Sequence, residues 1–188
     1  PCKTRNPMSA SSVGEKPHSQ DARTNNSVEV RNNLTCPKRW VSPPVSGTVI
    51  ALADVPDAVF AEEMVGPGVA IEPAPGRTTV VSPIAGTVLK VLPHAFVVLG
   101  DGVGVLVHLG INTVRLEGEG FEVLAEQGSE VAAGDPMITW DPATLPASSH
   151  GQDVSPVVPI VLMDGEKGSV TSHALGSSVA AGDLLFTA

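Results

Sequence analysis

The chain has 188 residues, of which 42% are apolar and 16% are charged, and its formal net charge at pH 7 is −9. This size and composition fit one globular domain with a hydrophobic core rather than a fibrous chain or a chain that is disordered throughout. The 19 glycines and 17 prolines leave few stretches long enough for a helix. They predict an all-β fold of many short strands.

The first 39 residues differ from the rest in charge and in hydrophobicity. They hold seven Lys and Arg against three Asp and Glu, a net charge of +4. Residues 40–188 therefore have a net charge of −13, which gives the chain its total of −9. Residues 40–188, which we call the body, are thus acidic, and an acidic surface repels nucleic acid and attracts basic protein partners. Because residues 1–39 have few apolar side chains and no strand or helix period, we expect a disordered tail or linker there, followed by a folded domain over residues 40–188.

Cysteine usage and hydropathy restrict the cellular location. Cys2 and Cys36 both lie in residues 1–39, so the body has neither disulfides nor thiol ligands for a metal. No apolar run reaches the ~20 residues that span a membrane, and the first residues lack the apolar centre of a signal peptide. These features predict a cytoplasmic protein without membrane insertion.

Two short sequences each occur twice in the body. The first is PVSGTV and PIAGTV, at 44–49 and 83–88, and the second is GSEVAAGDPMIT and GSSVAAGDLLFT, at 128–139 and 176–187. In each pair, Gly and Pro mark turns between stretches of alternating apolar residues. The duplication predicts an antiparallel β-sandwich or flattened barrel of two interlocking half-motifs, a duplicated hybrid motif of the barrel-sandwich type.

Two histidines lie in an otherwise uncharged apolar hairpin. The sequence predicts antiparallel strands over 94–99 and 103–109, joined by a three-residue loop with Gly at a left-handed position. In that register, Leu99 faces Val103, and His94 and His108 are direct cross-strand neighbours. Alternation then puts the two imidazoles in a partly exposed apolar patch that includes Phe96, Val98 and Leu106. The opposite face, with Val97, Val103, Val105 and Val107, is expected to point into the core.

Paired imidazoles suit a limited set of reactions. Two ligands are too few for a stable zinc site and no Cys is near, so neither a permanent metal nor a cofactor is expected. A neutral imidazole can instead attack phosphorus while the second ring donates a hydrogen bond to the transferring group. The pair therefore favours phosphoryl transfer through a phosphohistidine.

Longer segments around this hairpin resemble a known family. The stretch VPDAVFAEEMVGPGVAIEP at 55–73, the HAF at 94–96 and the long VHLGINTVRLEGEGFEVLAEQGSEVAAGD at 107–135 are similar to enzyme IIA of the glucose type, from the bacterial sugar phosphotransferase system. The resemblance implies a β-sandwich in which the Nε2 atom of His108 takes phosphate from the histidine-containing phosphocarrier protein. The phosphate would then pass to a cysteine on the IIB domain of a sugar permease.

The resemblance also implies roles for other residues. His94 corresponds to the second active-site histidine of the family, and the residues that dock the partner would be Asp57, Val59, Phe60, Phe96 and Asn112. At two positions the chain departs from the family pattern: Asn112 replaces a common Asp, and Leu92 replaces a common Thr that bonds the phosphorylated ring. We expect a backbone carbonyl to supply that missing acceptor.

Other functions stay open at this point. A lysostaphin-type zinc peptidase has a related β architecture, but its His-x-His ligand pair is absent, since VHLGI offers one histidine. A regulatory module that binds transporters or enzymes according to its phosphorylation state is the non-enzymatic alternative. The sequence does not distinguish glucose, N-acetylglucosamine or a glucoside as the sugar.

Overall fold

A computed structural model describes residues 40–187. The predicted tail at 1–39, with both cysteines, lies outside the described residues. The strands are β1 Trp40–Val41, β2 Gly47–Ala51, β3 Gly68–Pro73, β4 Thr78–Val81, β5 Gly86–Leu92, β6 Ala95–Gly100, β7 Val103–His108, β8 Phe121–Val123, β9 Glu130–Val131, β10 Pro136–Trp140, β11 Ser148–Ser149, β12 Gln152–Asp153, β13 Val158–Leu162, β14 Thr171–Ser172, β15 Ser178–Val179 and β16 Phe186–Thr187. The helices are α1 Ala58–Ala61 and three 3₁₀ turns, Leu52–Asp54, Thr113–Leu116 and Pro142–Thr144.

The strands form antiparallel sheets that do not close into a barrel. The largest sheet has eight strands in the order β15-β2-β3-β13-β7-β6-β5-β9, and two three-stranded sheets have the orders β1-β16-β14 and β4-β10-β8. The predicted all-β antiparallel sandwich is thus confirmed. None of the helices in the described part is long and apolar enough to cross a membrane.

The two sequence repeats occupy equivalent places in the large sheet. β2 pairs with β15 so that Gly47 lies opposite Val179, and β5 pairs with β9 so that Gly86 lies opposite Val131. A Cβ on Gly47 would lie 2.1 Å from the Glu72 carbonyl oxygen, which leaves no space for another residue. The glycine of each GTV repeat is therefore needed for close approach of two backbones.

The two half-motifs also interlock through backbone hydrogen bonds. The Ser42 amide donates to the Pro83 carbonyl at 3.0 Å, and the Val81 amide donates to the Pro44 carbonyl at 2.9 Å. Ser42 and Val81 occupy equivalent positions in the two halves, as do Pro44 and Pro83, so each half donates the same bond to the other. This reciprocity is expected for halves related by a local two-fold axis. The predicted interlocking of half-motifs is confirmed.

Alternation along the central strands divides the apolar residues between the two faces of the large sheet. Val69, Ile71 and Ile160 belong to the main core between the sheets. Ala70 and Val161 point to the other face, where they form a second cluster. Its other buried members are Leu52, Val55, Phe60, Ile111 and Val157. This outer cluster carries α1 and the residues beside the histidine pair.

The hairpin β6–β7 differs from the predicted register by one residue. Gly100 lies opposite Val103, so the loop is the two-residue turn Asp101-Gly102, with φ values of 49° and 76°. Positive φ at both positions is what a type I′ turn requires. The predicted three-residue loop was wrong, and His108 faces Ala95 rather than His94.

This shift reverses the side of the sheet to which β6 residues point. Phe96 lies opposite Val107 and Val98 opposite Val105, and all four are buried in the main core. The predicted core positions of Val105 and Val107 are confirmed. The prediction that Phe96 and Val98 lie on the exposed patch was wrong, because a one-residue slip moves every side chain of a strand to the other face.

Candidate active site

The two histidines meet although they are not paired across the strands. His94 lies in the turn that precedes β6, where its carbonyl accepts a hydrogen bond from the Leu109 amide at 2.7 Å. His108 is the last residue of β7. The ring centroids lie 5.2 Å apart, with an interplanar angle of 59°. The predicted proximity of the rings is confirmed, through a turn residue rather than through strand register.

A backbone hydrogen bond fixes the orientation of the His108 ring. Its Nδ1 lies 2.6 Å from the Gly110 carbonyl oxygen. A carbonyl only accepts, so Nδ1 must carry the proton, and in the neutral ring Nε2 then keeps its lone pair. A backbone acceptor for this ring was predicted from the presence of Leu92, and it is confirmed.

The loop after His108 requires glycine at position 110. Gly110 has a φ of 78°, and a Cβ there would lie 2.5 Å from Thr113 Cγ2 and 2.8 Å from the Ser155 carbonyl oxygen. The buried Thr113 hydroxyl donates to the Leu109 carbonyl at 2.7 Å, which closes the turn. The acceptor for His108 thus belongs to a tightly packed loop.

The short helix α1 covers one side of the His108 ring. Asp57 caps the helix by accepting from the Val59 amide at 2.8 Å. The helix places the Phe60 ring 5.4 Å from that of His108. Phe60 is buried in the outer cluster, whereas Val59 is 43% exposed beside it. This segment therefore supplies both a wall for the site and an exposed apolar side chain.

Burial keeps both rings neutral near pH 7. It lowers the pKa of His108, and the bond to the Gly110 carbonyl and the negative charge of Asp57 oppose this only in part. Burial also lowers the pKa of His94, and the neighbouring His108 lowers it further. The site thus combines a neutral imidazole with an available Nε2 and a second neutral ring beside it.

The predicted docking residues lie in three different places. Asp57, Val59 and Phe60 lie together on or beside α1 next to His108. Phe96, by contrast, is 1% exposed in the main core, which excludes it from a docking surface. Asn112 is only partly exposed, and its side-chain amide donates to the Asp153 carbonyl at 2.7 Å.

Sequence reasoning missed the residues whose backbone groups hold the His108 ring and the loop after it. Gly110 was visible as the glycine of VHLGI, but nothing in the sequence assigned its carbonyl to His108. Ser155 and Asp153 carried no signal, because they reach the loop only through the fold. Over residues 40–187, no group of three or more His, Cys, Asp or Glu side chains is placed to hold a metal ion.

The described residues form an antiparallel β-sandwich with two adjacent imidazoles at the end of a hairpin. Residues 40–168 match the family described as phosphoenolpyruvate-dependent sugar phosphotransferase system, EIIA 1. The chain belongs to this family, and it is a glucose-type EIIA component of the phosphotransferase system. The resemblance inferred from the sequence is confirmed.

Individual relatives agree with this assignment. The chain is 45% identical over 118 residues to the PTS system N-acetylglucosamine-specific EIICBA component of Escherichia coli, covering 61% of this chain and 18% of the relative. It is 48% identical over 101 residues to the PTS system glucose-specific EIIA component of Staphylococcus aureus, covering 52% of this chain and 60% of the relative. The structure of glucose permease IIA from Mycoplasma capricolum is 33% identical, with a TM-score of 0.66 over 80% of this chain and 95% of that one.

The chain thus spans about a fifth of the multidomain relatives that it matches. In those relatives the EIIA part is joined to other components of the same system, as their names state.

Proposed function

We propose that this protein relays phosphate through His108. A phosphohistidine on the histidine-containing phosphocarrier protein is the donor, and a cysteine on the IIB domain of a sugar permease is the acceptor. The observation that carries the proposal is the 2.6 Å contact between His108 Nδ1 and the Gly110 carbonyl, which leaves Nε2 as the nucleophile. The same residues give no support to a zinc peptidase, whose ligand pair the sequence lacks.

The chemical step follows from the protonation of the ring. The Nε2 lone pair of His108 attacks phosphorus, and the phosphorus–nitrogen bond of the donor breaks with its electron pair returning to the donor ring. Since Nδ1 keeps its proton, positive charge develops on the His108 ring. The Gly110 carbonyl and the Asp57 carboxylate both favour that charge. The product therefore forms without a proton having to leave His108.

His94 acts on the transferring group rather than as a nucleophile. Its ring centroid lies 5.2 Å from that of His108, so a donor nitrogen of His94 can reach an oxygen of a phosphoryl group on Nε2. A neutral ring donates one such bond and avoids the cost of burying a charge next to a second imidazole. This hydrogen bond would strengthen as charge builds up on the equatorial oxygens.

Partner docking would use the surface next to α1. Val59 and Met64 are 43% and 69% exposed, and Asp57 lies at the start of the helix. Exposed apolar side chains beside a carboxylate suit a partner whose contact surface is apolar with basic residues at its rim. The acidic body of the protein would attract that partner from a distance. A protein with this role would act in the cytoplasm, next to the permease.

Phosphate labelling tests the proposal. The chain is incubated with labelled phosphoenolpyruvate, enzyme I and the phosphocarrier protein, and the expected product is one acid-labile phosphate per chain. The variant His108→Gln removes the nucleophile, so it should accept no phosphate, whereas His173→Ala, at an exposed position after β14, should behave as the parent. Labelling of His108→Gln at the parental rate would refute the assignment.

A further inference from the structure

A short strap lies against the loop that follows His108. We define the strap as residues 148–155, which comprise the hairpin β11–β12 and the two residues after it. Ile111 and Ser155 form an isolated antiparallel bridge: the Ile111 amide donates to the Ser155 carbonyl at 2.7 Å, and the Ser155 amide returns a bond at 3.3 Å. The strap is therefore bonded to the loop one residue beyond the glycine that holds the nucleophile.

One peptide group joins the strap to the nucleophile. The carbonyl of the Gly110–Ile111 peptide accepts from His108 Nδ1, and the amide of the same peptide donates to Ser155. In a planar trans peptide the C=O and N–H point in opposite directions. The bond to Ser155 thus fixes the direction in which the carbonyl meets the imidazole.

Side chains hold the strap in this position. Asn112 has a left-handed backbone, with a φ of 61°, and its Nδ2 donates to the Asp153 carbonyl at 2.7 Å. One turn later, Arg115 Nε donates to Gln152 Oε1 at 3.0 Å. Both bonds run from the loop after the nucleophile to β12, so they resist movement of the strap away from the loop.

We infer that Asn112 is a positioning residue for the nucleophile, acting through the strap and the Gly110 carbonyl. The inference rests on the proposed function only in taking His108 as the phosphate acceptor. It assigns Asn112 a role other than direct docking, because its amide is already bonded within the chain. An ionised Asp at this position could not donate to the Asp153 carbonyl, and two acceptors would then face each other.

Two substitutions separate the amide from the backbone conformation. Asn112→Gly removes the side chain and tolerates the left-handed backbone, whereas Asn112→Asp keeps the shape and replaces the donor by an acceptor. Gln127→Glu adds the same charge in an exposed turn and serves as the control for charge.

The first measurement is the tautomer of His108 in the unphosphorylated protein, read from the ¹⁵N chemical shifts of its ring. The parent should show a protonated Nδ1, and both Asn112 variants should show a mixture of the two tautomers. The second is single-turnover phosphorylation by the phosphocarrier protein. Both variants should lower the maximal rate by roughly 2- to 10-fold, the effect of one hydrogen bond, at an unchanged half-saturating concentration.

Each result decides between the alternatives. Parental ring shifts in both variants would overturn the inference, as would a change in half-saturation alone, which would assign Asn112 to docking. If the parent accepts no phosphate on His108, the proposed function fails, and the ring shifts still decide whether Asn112 positions the imidazole. Melting temperatures of both variants show whether either effect comes from unfolding.

Discussion

The change His94→Ala tests the role of the second imidazole. The ring of His94 is only partly buried, and its backbone carbonyl, which the substitution leaves in place, holds this segment to Leu109, directly after β7. The fold should therefore persist. Removal of the ring leaves a phosphoryl group on His108 without the donor that lies beside it, at a ring separation of 5.2 Å.

The magnitude follows from the kind of bond that is lost. A hydrogen bond to a charged group contributes about 1.5 to 3 kcal/mol. If the bond forms mainly in the transition state, its loss slows transfer by roughly 10- to 150-fold. Phosphate acceptance by the proposed nucleophile His108 should continue, since its ring and the Gly110 acceptor are unchanged. The variant His94→Gln keeps a donor and should recover part of the loss.

The assay is single-turnover phosphoryl transfer to a cognate IIB domain, measured for His94→Ala, His94→Gln and the parent. His173→Ala provides a matched His-to-Ala control at an exposed position outside the strap. Equal rates in all four proteins would refute a role for His94 in transfer. Complete loss of phosphate acceptance in a folded His94→Ala protein would mean that the nucleophile is His94.

Three further predictions concern pH, the core and the repeats. Because the pKa values of His94 and His108 are lowered from 6.5, the acid limb of the rate of phosphate acceptance should have its midpoint below pH 6.5, measured by single-turnover labelling from pH 5 to 8. The same rings bind protons more readily in the unfolded chain, so their contribution to stability is full above pH 6.5 and is lost as the pH falls towards their folded-state pKa values. The parent should therefore lose more stability on acidification than a variant that lacks both rings, and the opposite order would contradict this. Phe96→Ala should lower the free energy of unfolding by about 3 to 5 kcal/mol in urea titration, and unchanged stability with weakened docking would contradict the observed register. Gly86→Ala should lower the melting temperature, since its Cβ would lie 2.2 Å from the Leu99 carbonyl oxygen, and a parental melting temperature would show that the two strands can move apart at no cost.

The hairpin shows how far local sequence determines the fold. The Gly100-Asp101-Gly102 sequence allows either a three-residue loop or a two-residue turn, and Asp-Gly is among the strongest signals for the two-residue type I′ turn. The structure has the two-residue turn, and this register directs Phe96 into the core. Both strands and their pairing could be predicted, because apolar alternation and turn residues are local. The register could not be predicted securely, since it depended on whether Gly100 belonged to the loop or to the strand.

The histidine pair was predicted correctly for a partly wrong reason. A one-residue slip should have separated His94 from His108, but His94 lies in the turn before β6 and escapes the alternation of the strand. The contacts that orient His108 were beyond local reasoning. Asn112 and Asp153 are 41 residues apart, and only the path of the chain around the sheet brings them together.

The duplication explains the scaffold but not the site. Matched outward from the centre of the large sheet, β13 corresponds to β7 and β3 corresponds to β6. In this matching, the pair of His108 and Ala95 corresponds to the pair of Val161 and Gly68. Val161 is fully buried in the outer cluster, beneath the segment 52–67 that connects β2 to β3. In the other half, β5 and β6 are joined by a two-residue turn that ends in His94. This short turn does not cover His108, the position equivalent to Val161. The long connection supplies Phe60 as a wall and the short one supplies the second imidazole, so the candidate active site arises where the two halves differ.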